Sequence, residues 1–503
     1  MTRLLVLGID SMDARLVDQF IDDLPALQAM KARSSPYSLH SVFPPDSDTA
    51  WASIHTGENP ARHGVVHFVD PLEKTSIYLG NHLDSSLLRG RTFWDTAGAA
   101  GRRVCVVTPH IGFPVWPVHG AMVARSPAND QVETFPAPLD LGTEATGLLM
   151  PTRIPDSGPE YQTFLDRLGG VVDAEVACAR HLLGSEPWDL FFWYSSALDF
   201  VQHIFWNFCD PADPTFPGED NPYRHAIRDF YRRYDAAIGT LTAAAGDEMA
   251  VMVVSDHGHM MRPIRLVNVN EILRTAGFLA AREGAVTPFL RTGEKAKRAA
   301  ADLVQRTGLR GTALRLLRRH PGIKDLYTTP TSIDFDRTVA RCTDLSGIKA
   351  YNYGGILIER AHLQNGQDYD EARAAILSLL QAWTHPSTGD PVFEWVTTRE
   401  ALYAGEFIDR YPDILFKLKE GLGAGWEIEG PVISTSSTHS FYPGSHRGDT
   451  PVFFLSLPDP RRPARTHLGL MDISPTVLDI LGVPGTGGDD GTSVFSPEEK
   501  GGT

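Results

Sequence analysis

LLVLGID, residues 4–10, is an apolar run that stops on a carboxylate. It reads as a buried strand with Asp10 at its carboxyl end. The pattern recurs in LFFWYSSALD, residues 190–199, and in MAVMVVSD, residues 249–256, which end on Asp199 and Asp256. In an open α/β sheet, ligands bind beyond the carboxyl ends of the strands. Three acidic residues at three such ends therefore converge on one site. Converging carboxylates repel one another, so the site needs positive charge. With His203 and His257 beside them, a pair of divalent metal ions is the natural answer.

Working outward, residues 1–275 alternate strand-like and helix-like segments. Leu4–Ile9, Val104–Thr108, Leu190–Tyr194 and Ala250–Val254 are strand candidates, and Glu160–Leu183 and Tyr223–Ala245 are helical. That alternation predicts an α/β fold, a mostly parallel central sheet with helices on both faces. Residues 285–340 change character. They are basic from Lys295 to Lys324 and helix-prone, and are expected as an inserted helical cap. Such a charge run is a solvated helix pair, or a lid that attracts an anionic substrate, or a partner surface. Strand-like runs return in GGILIER, PDILFKL and TPVFFLSL, and MDISPTVLDILG adds a helix. The tail, residues 491–503, is expected to be loose.

The chain has 503 residues, 42% of them hydrophobic, enough for one large domain with insertions or for two domains. Its formal charge of −16 disfavours nucleic-acid polymers and anionic membrane surfaces. It allows a small anionic substrate, because metals reverse the local sign. No apolar stretch reaches a membrane span, and the N-terminus reads as a first strand rather than a signal peptide. Cys105, Cys178, Cys209 and Cys342 are far apart, with no CxxC pair, which makes a reducing cytoplasm the expected compartment.

A second stretch, FPPDSDTAWASIHTGENPARHG, spans residues 43–64. Pro44 and Pro45 enforce extended backbone. Asp46, Ser47 and Asp48 are good N-cap residues, and Gly57 supplies a stop. Ser47 is thus expected at a helix N-terminus, where the dipole favours an anion. A serine there caps the helix, binds phosphate or attacks it, and Thr49 is a rival nucleophile. Asp199 and His203 have i, i+4 spacing and share a helix face. Asp256 and His257 stand side by side at a strand end. His446 lies in GSHRGDTPVFFLS, with His439 as its competitor, and His259 is expected as a supporting or surface residue. The isolated histidines 63, 110, 119 and 467 are expected to be satisfied structurally.

Taken in order, these motifs resemble the alkaline phosphatase superfamily, and within it the type I phosphodiesterase/nucleotide pyrophosphatase family. The similarity runs from LLVLGID through PPDSDTAWASIHTGENPARHG, TPHIGFPVWPVHG, ALDFVQHIFW, VVSDHGH and GSHRGDTPVFFLS to DISPTVLDILGVPG. It implies an alkaline-phosphatase-like fold, with residues 1–284 and 341–490 as the metal-dependent phosphoesterase core. It implies two divalent metals, typically zinc, with manganese also suited to the donors. One would be held by Asp199, His203 and His446, the other by Asp10, Asp256 and His257 together with the Ser47 oxygen. The family's nucleophile stands nine residues before the Thr of a Thr-Gly pair. Thr56-Gly57 is that pair, which selects Ser47 over Thr49. Two features depart from the pattern. Many family phosphodiesterases carry Thr where Ser47 stands, whereas Asp46-Ser47 matches alkaline phosphatases. Phe68 occupies the place of an Asn that contacts a phosphoryl oxygen, a contact that His67, His110 or a cap residue would have to replace.

The chemistry implied is in-line phosphoryl transfer through a Ser47-bound intermediate, with two ions about 4 Å apart stabilising the attacking and leaving oxygens. The expected substrate is a small, nucleotide-like phosphodiester. A phosphomonoesterase or phosphonate hydrolase is the alternative. A phosphoryl-transferring mutase or a sulfatase is less in keeping with the residues, since the sulfatase maturation motif is absent. A non-catalytic metal-binding interaction protein is the alternative of another class, and the intact ligand set argues against it. The sequence does not fix an oligomeric state.

Overall fold

The computed structural model describes residues 2–66, 85–127, 129–151, 154–155, 158–282, 333–342, 351–363, 368–425, 427–436, 438–459, 461–485, 488 and 490–497. At its centre is a seven-stranded sheet. The order is Phe453–Ser456, Met249–Val254, Arg3–Ile9, Leu190–Ser195, Val104–Val107, Gly120–Arg125 and Val132–Phe135. The five inner strands are parallel, and the two edge strands run antiparallel to them. The expected strands thus form the middle of the sheet. Arg3–Ile9 lies between Leu190–Ser195 and Met249–Val254, so the strand ends leading to Asp10, Asp199 and Asp256 are immediate neighbours.

Strand periodicity explains why these runs are apolar throughout. Successive side chains point to opposite faces, and here both faces are covered. Leu5, Leu7, Phe191, Trp193, Val251 and Val253 enter one core, with the helices Gly158–Ser185, Ala197–Cys209 and Ala226–Ala245. Leu4, Val6, Phe192, Tyr194, Met252 and Val254 enter another, with the helices Ser47–Thr56, Phe93–Ala99 and Ile473–Ile480. One close approach needs glycine. A Cβ on Gly8 would stand 2.8 Å from Trp51 of the Ser47–Thr56 helix, so the bare backbone lets that helix settle onto the first strand.

Of the returning strands, only TPVFFLSL joins this sheet, as the edge strand Phe453–Ser456. Tyr353–Ile358 and Ile414–Leu418 pair antiparallel in a separate four-stranded sheet with Ala340–Cys342 and Phe393–Thr398. That sheet has its own core, from Val267 to Ile428, to which the helix Tyr369–Ala382 contributes Ile376 and Leu380. Of the expected cap, residues 285–340, only 333–340 are described, and the basic run from Lys295 to Lys324 lies outside the described residues. The tail is not loose at its start. Val494 is buried, its N–H donates to Thr476 Oγ1 at 3.0 Å, and Ser493 Oγ donates to Asp479 Oδ2 at 2.7 Å. None of Cys105, Cys178, Cys209 and Cys342 forms a disulfide among the described residues. Among the described residues, no helix is long and apolar enough to cross a membrane.

Candidate active site

Each expected side chain is delivered by a short, well-defined device. Asp10 follows the first strand directly. Ser47 is the first residue of its helix, and the capping is done by Asp46, which has extended backbone and accepts the Asp48 N–H at 3.2 Å. Ser47 is therefore not the cap, and its hydroxyl is available for other work. Gly57 ends the helix at φ 74°, in the left-handed region that favours glycine. Asp199 and His203 lie one turn apart on the Ala197–Cys209 helix, on the opposite face of the sheet from Ser47. His446, expected in a loop, sits on the strand Gly444–Arg447. That strand pairs antiparallel with Gly258–Met261, directly after His257, and puts His446 opposite His259.

These devices bring all seven residues together. Asp10, Ser47, His203, Asp256, His257 and His446 are almost fully buried. Ser47 Oγ lies 3.4 Å from Asp10 Oδ1 and 3.3 Å from His257 Nε2. His257 Nε2 is 3.2 Å from Asp256 Oδ2 and 3.6 Å from Asp10 Oδ1. On the other side, Asp199 Oδ1 is 3.3 Å from His203 Nε2 and 3.6 Å from His446 Nε2, and the two histidine nitrogens are 2.9 Å apart. The His257 and His446 rings stack at 3.9 Å and join the two groups. Two sets of donor atoms could each hold an ion: Asp10, Asp256 and His257, and Asp199, His257 and His446. His257 belongs to both. His203 approaches the second set through Asp199 and His446. Thr49 is turned about 200° around the helix from Ser47.

The hydrogen bonding fits cations. Nδ1 of His203 faces the Gly444 carbonyl at 3.0 Å, Nδ1 of His446 that of Pro45 at 2.9 Å, and Nδ1 of His257 that of Gly258 at 3.0 Å. A carbonyl only accepts, so each Nδ1 donates, and a neutral ring then presents a lone pair at Nε2. Two such lone pairs face each other across the 2.9 Å between His203 and His446. Among the described residues, Asp199 Oδ1 and Asp256 Oδ2 are buried with no hydrogen-bond partner. Lone pairs and orphaned carboxylate oxygens aimed at one space are what a bound divalent ion would satisfy. The electrostatics agree. Burial, followed by the charges of Asp256 and Asp199, pushes Asp10 well above the usual carboxylate range. Burial does the same to Asp256. Burial also acts to raise Asp199, but the neighbouring His203 and His446 imidazoles outweigh it and hold Asp199 well below that range. Burial and the neighbouring His257 hold His446 well below an ordinary imidazole, which keeps it a neutral donor.

Several participants carried no signal in the sequence. Tyr194, the last aromatic of its strand, donates its hydroxyl to Asp10 Oδ2 at 2.5 Å. His110 Nδ1 is 3.0 Å from that hydroxyl, and His110 Nε2 is 2.6 Å from Asp48 Oδ1. His110, expected as an isolated structural residue, thus reaches Asp10 through Tyr194. Both its ring nitrogens are engaged, so it would have to give up a bond to contact a phosphoryl oxygen. His67 and Phe68 lie outside the described residues. His259 is fully buried and packs on His203 with ring centroids 4.6 Å apart, so it is not a surface residue. His439 is paired with Asp213 at 2.7 Å and does not compete with His446. His119 and His467 bond to Arg102 O and Ser38 Oγ, both at 2.8 Å, as structural residues.

His63 meets Ser53 Oγ at 2.9 Å, and burial pushes it down to about 3. Unfolded, it takes up a proton near pH 6.5, so below that pH the unfolded state binds more protons and stability falls. Replacing His63 with Gln should remove about one proton, ~1.4 kcal/mol per pH unit, from the slope of unfolding free energy between pH 6 and 4. Urea melts at several pH values measure it, and an unchanged slope would mean that His63 is already protonated in the fold.

A family model described as type I phosphodiesterase/nucleotide pyrophosphatase matches residues 4–424. No curated protein matches the chain. Among solved structures, phosphonoacetate hydrolase from Sinorhizobium meliloti 1021, in complexes with phosphonoformate and with phosphonoacetate, aligns with a TM-score of 0.55. The alignment covers 96% of each chain at 18% identity, a likeness of fold. An inactive variant of murine ectonucleotide pyrophosphatase/phosphodiesterase 5, in complex with AMP, aligns over 96% of each chain with a TM-score of 0.47 at 14% identity.

Proposed function

Because the chain belongs to the type I phosphodiesterase/nucleotide pyrophosphatase family, hydrolases that act on phosphoesters, we propose that it is a two-metal phosphodiesterase acting on a small, nucleotide-like phosphodiester. Its fold is the alkaline-phosphatase-like α/β arrangement. The observation that carries the proposal is the position of Ser47 Oγ. It sits at a helix N-terminus, within 3.4 Å of Asp10 Oδ1 and His257 Nε2, beside two converging sets of metal donors.

Asp10, Asp256 and His257, with Ser47, would hold one ion, and Asp199, His203 and His446 the other. Their mixed imidazole and carboxylate donors suit zinc, with manganese as the alternative. When bound, the ions supply Lewis acidity that activates the serine oxygen and stabilises the leaving oxygen. The chain's own residues do the rest. Asp10 and His257 fix where the Ser47 hydroxyl points. The helix behind Ser47 offers the positive end of its dipole to the phosphoryl oxygens. A bond forms from Ser47 Oγ to phosphorus as the bond to the leaving oxygen breaks, and that oxygen departs with a proton. Water then cleaves the serine–phosphorus bond and restores the hydroxyl. A cytoplasmic location, in keeping with four cysteines that form no disulfide among the described residues, completes the proposal.

The test compares kcat/KM on bis-p-nitrophenyl phosphate, p-nitrophenyl phosphate and phosphonoacetate, with zinc or manganese added. The diester should be preferred. A monoester preference would move the assignment to a phosphatase, and turnover of phosphonoacetate alone to a phosphonate hydrolase. Asp46, the feature that pointed towards a phosphatase, already has a structural role as the helix cap.

A further inference from the structure

Directly after Asp10 the backbone takes an unusual turn. Ser11 has φ 65°, a left-handed conformation that glycine adopts freely and serine seldom does. The turn aims every polar group of Ser11 at a different part of the site. Its N–H donates to Asp256 Oδ1 at 3.0 Å. Its carbonyl accepts the Gln202 Nε2 hydrogen at 2.7 Å. Its hydroxyl and His259 Nδ1 share a hydrogen bond of 2.7 Å. All three bonds are buried.

The partners are placed with equal economy. Asp256 is itself a candidate ligand. Gln202 stands between Asp199 and His203 on the helix that carries both. His259 lies opposite His446 in the strand pair that carries it, and packs on His203. Ser11 is therefore tied directly to Asp256 and to the Asp199–His203 helix, and through His259 to the strand that pairs with the one carrying His446. A glycine would make this turn more easily, but it could not make the bond to His259.

We propose that Ser11 is a positioning residue that couples the two sets of metal donors, holding Asp10 and Asp256 in register with Asp199, His203 and His446 so that filling one set organises the other. This rests on the two-metal proposal above. The backbone bonds hold Asp256 and the Asp199–His203 helix, and the hydroxyl holds His259, which packs on His203 and stands opposite His446 on the paired strand. The Ser11–His259 bond is thus the side-chain part of the coupling.

The test is calorimetric titration of metal-stripped protein with Zn2+. Wild type should take up two ions per chain in one transition. Ser11→Ala, which keeps both backbone bonds, should still bind two ions, but in two steps separated by about tenfold or more in affinity. His259→Leu removes the same bond from the other side and should split the transition equally, and it decides the matter if Ser11→Ala does not fold. The double variant should be no worse than either single one, because only one interaction is lost. His259→Asn, whose amide can replace Nδ1, should restore the single transition. Wild-type binding curves for both Ser11→Ala and His259→Leu would overturn the coupling while leaving two metals in place. Failure of the wild type to bind two ions would sink the two-metal proposal, and the coupling with it.

Discussion

Ser47→Ala should lower kcat on the diester substrate by about 10³-fold or more, ~4 kcal/mol of transition-state stabilisation, while changing the fold very little. The large effect follows from chemistry. Without Oγ no serine–phosphorus bond can form, and the remaining route is direct attack by water. The small structural effect follows from geometry. Among the described residues the Ser47 hydroxyl makes two long contacts, 3.4 and 3.3 Å, and the helix keeps its cap in Asp46. The loss of stability should stay within about 1 kcal/mol. Asp46→Ala is the informative contrast. It should cost about 1 kcal/mol of stability through the lost cap and leave an intact hydroxyl. Steady-state kinetics with thermal melts on both variants separate the roles. A Ser47→Ala enzyme that keeps kcat within a few-fold, with metals bound, would remove the serine from the mechanism.

Much of this was legible in the chain for a physical reason. A strand buried on both faces must be apolar throughout, so the polar residue that ends it stands out. That is how Asp10, Asp199 and Asp256 declared themselves, and the strands before them are adjacent in the sheet. Ser47 was marked by its proline lead-in and its glycine stop. His446 carried a weaker signal, because its place depends on strand pairing with Gly258–Met261, a contact nearly two hundred residues away in sequence. Tyr194 carried none, and His259 only the open expectation of a supporting or surface residue. An aromatic in an apolar strand looks like core until its hydroxyl is seen against Asp10. The separate antiparallel sheet was missed for a related reason. GGILIER and PDILFKL have the composition of strands, and composition does not say which sheet a strand joins.

His257→Ala should abolish tight binding at both candidate metal positions, whereas His203→Ala should spare one. The asymmetry comes from the geometry. His257 Nε2 faces Asp10, Asp256 and Ser47 and would ligate one ion, while its ring stacks on His446, a proposed ligand of the other, so its loss reaches both positions. His203 meets Asp199 and His446, both proposed for the same ion. Loss of a supporting group around a metal typically costs 10–100-fold in affinity, and loss of a ligand itself should cost at least about as much. Bound metal also stabilises the fold by mass action, about 2.7 kcal/mol per site at a hundred times Kd. Added zinc should therefore raise the melting temperature of wild type strongly, raise that of His203→Ala partly and leave that of His257→Ala almost unchanged. The activity of His257→Ala should fall with its metal content, and excess zinc should not restore it. Equal zinc content in the two variants, measured after dialysis, would show that the stacking on His446 adds nothing to the second position, and would confine the effect of His257 to the site of Asp10 and Asp256.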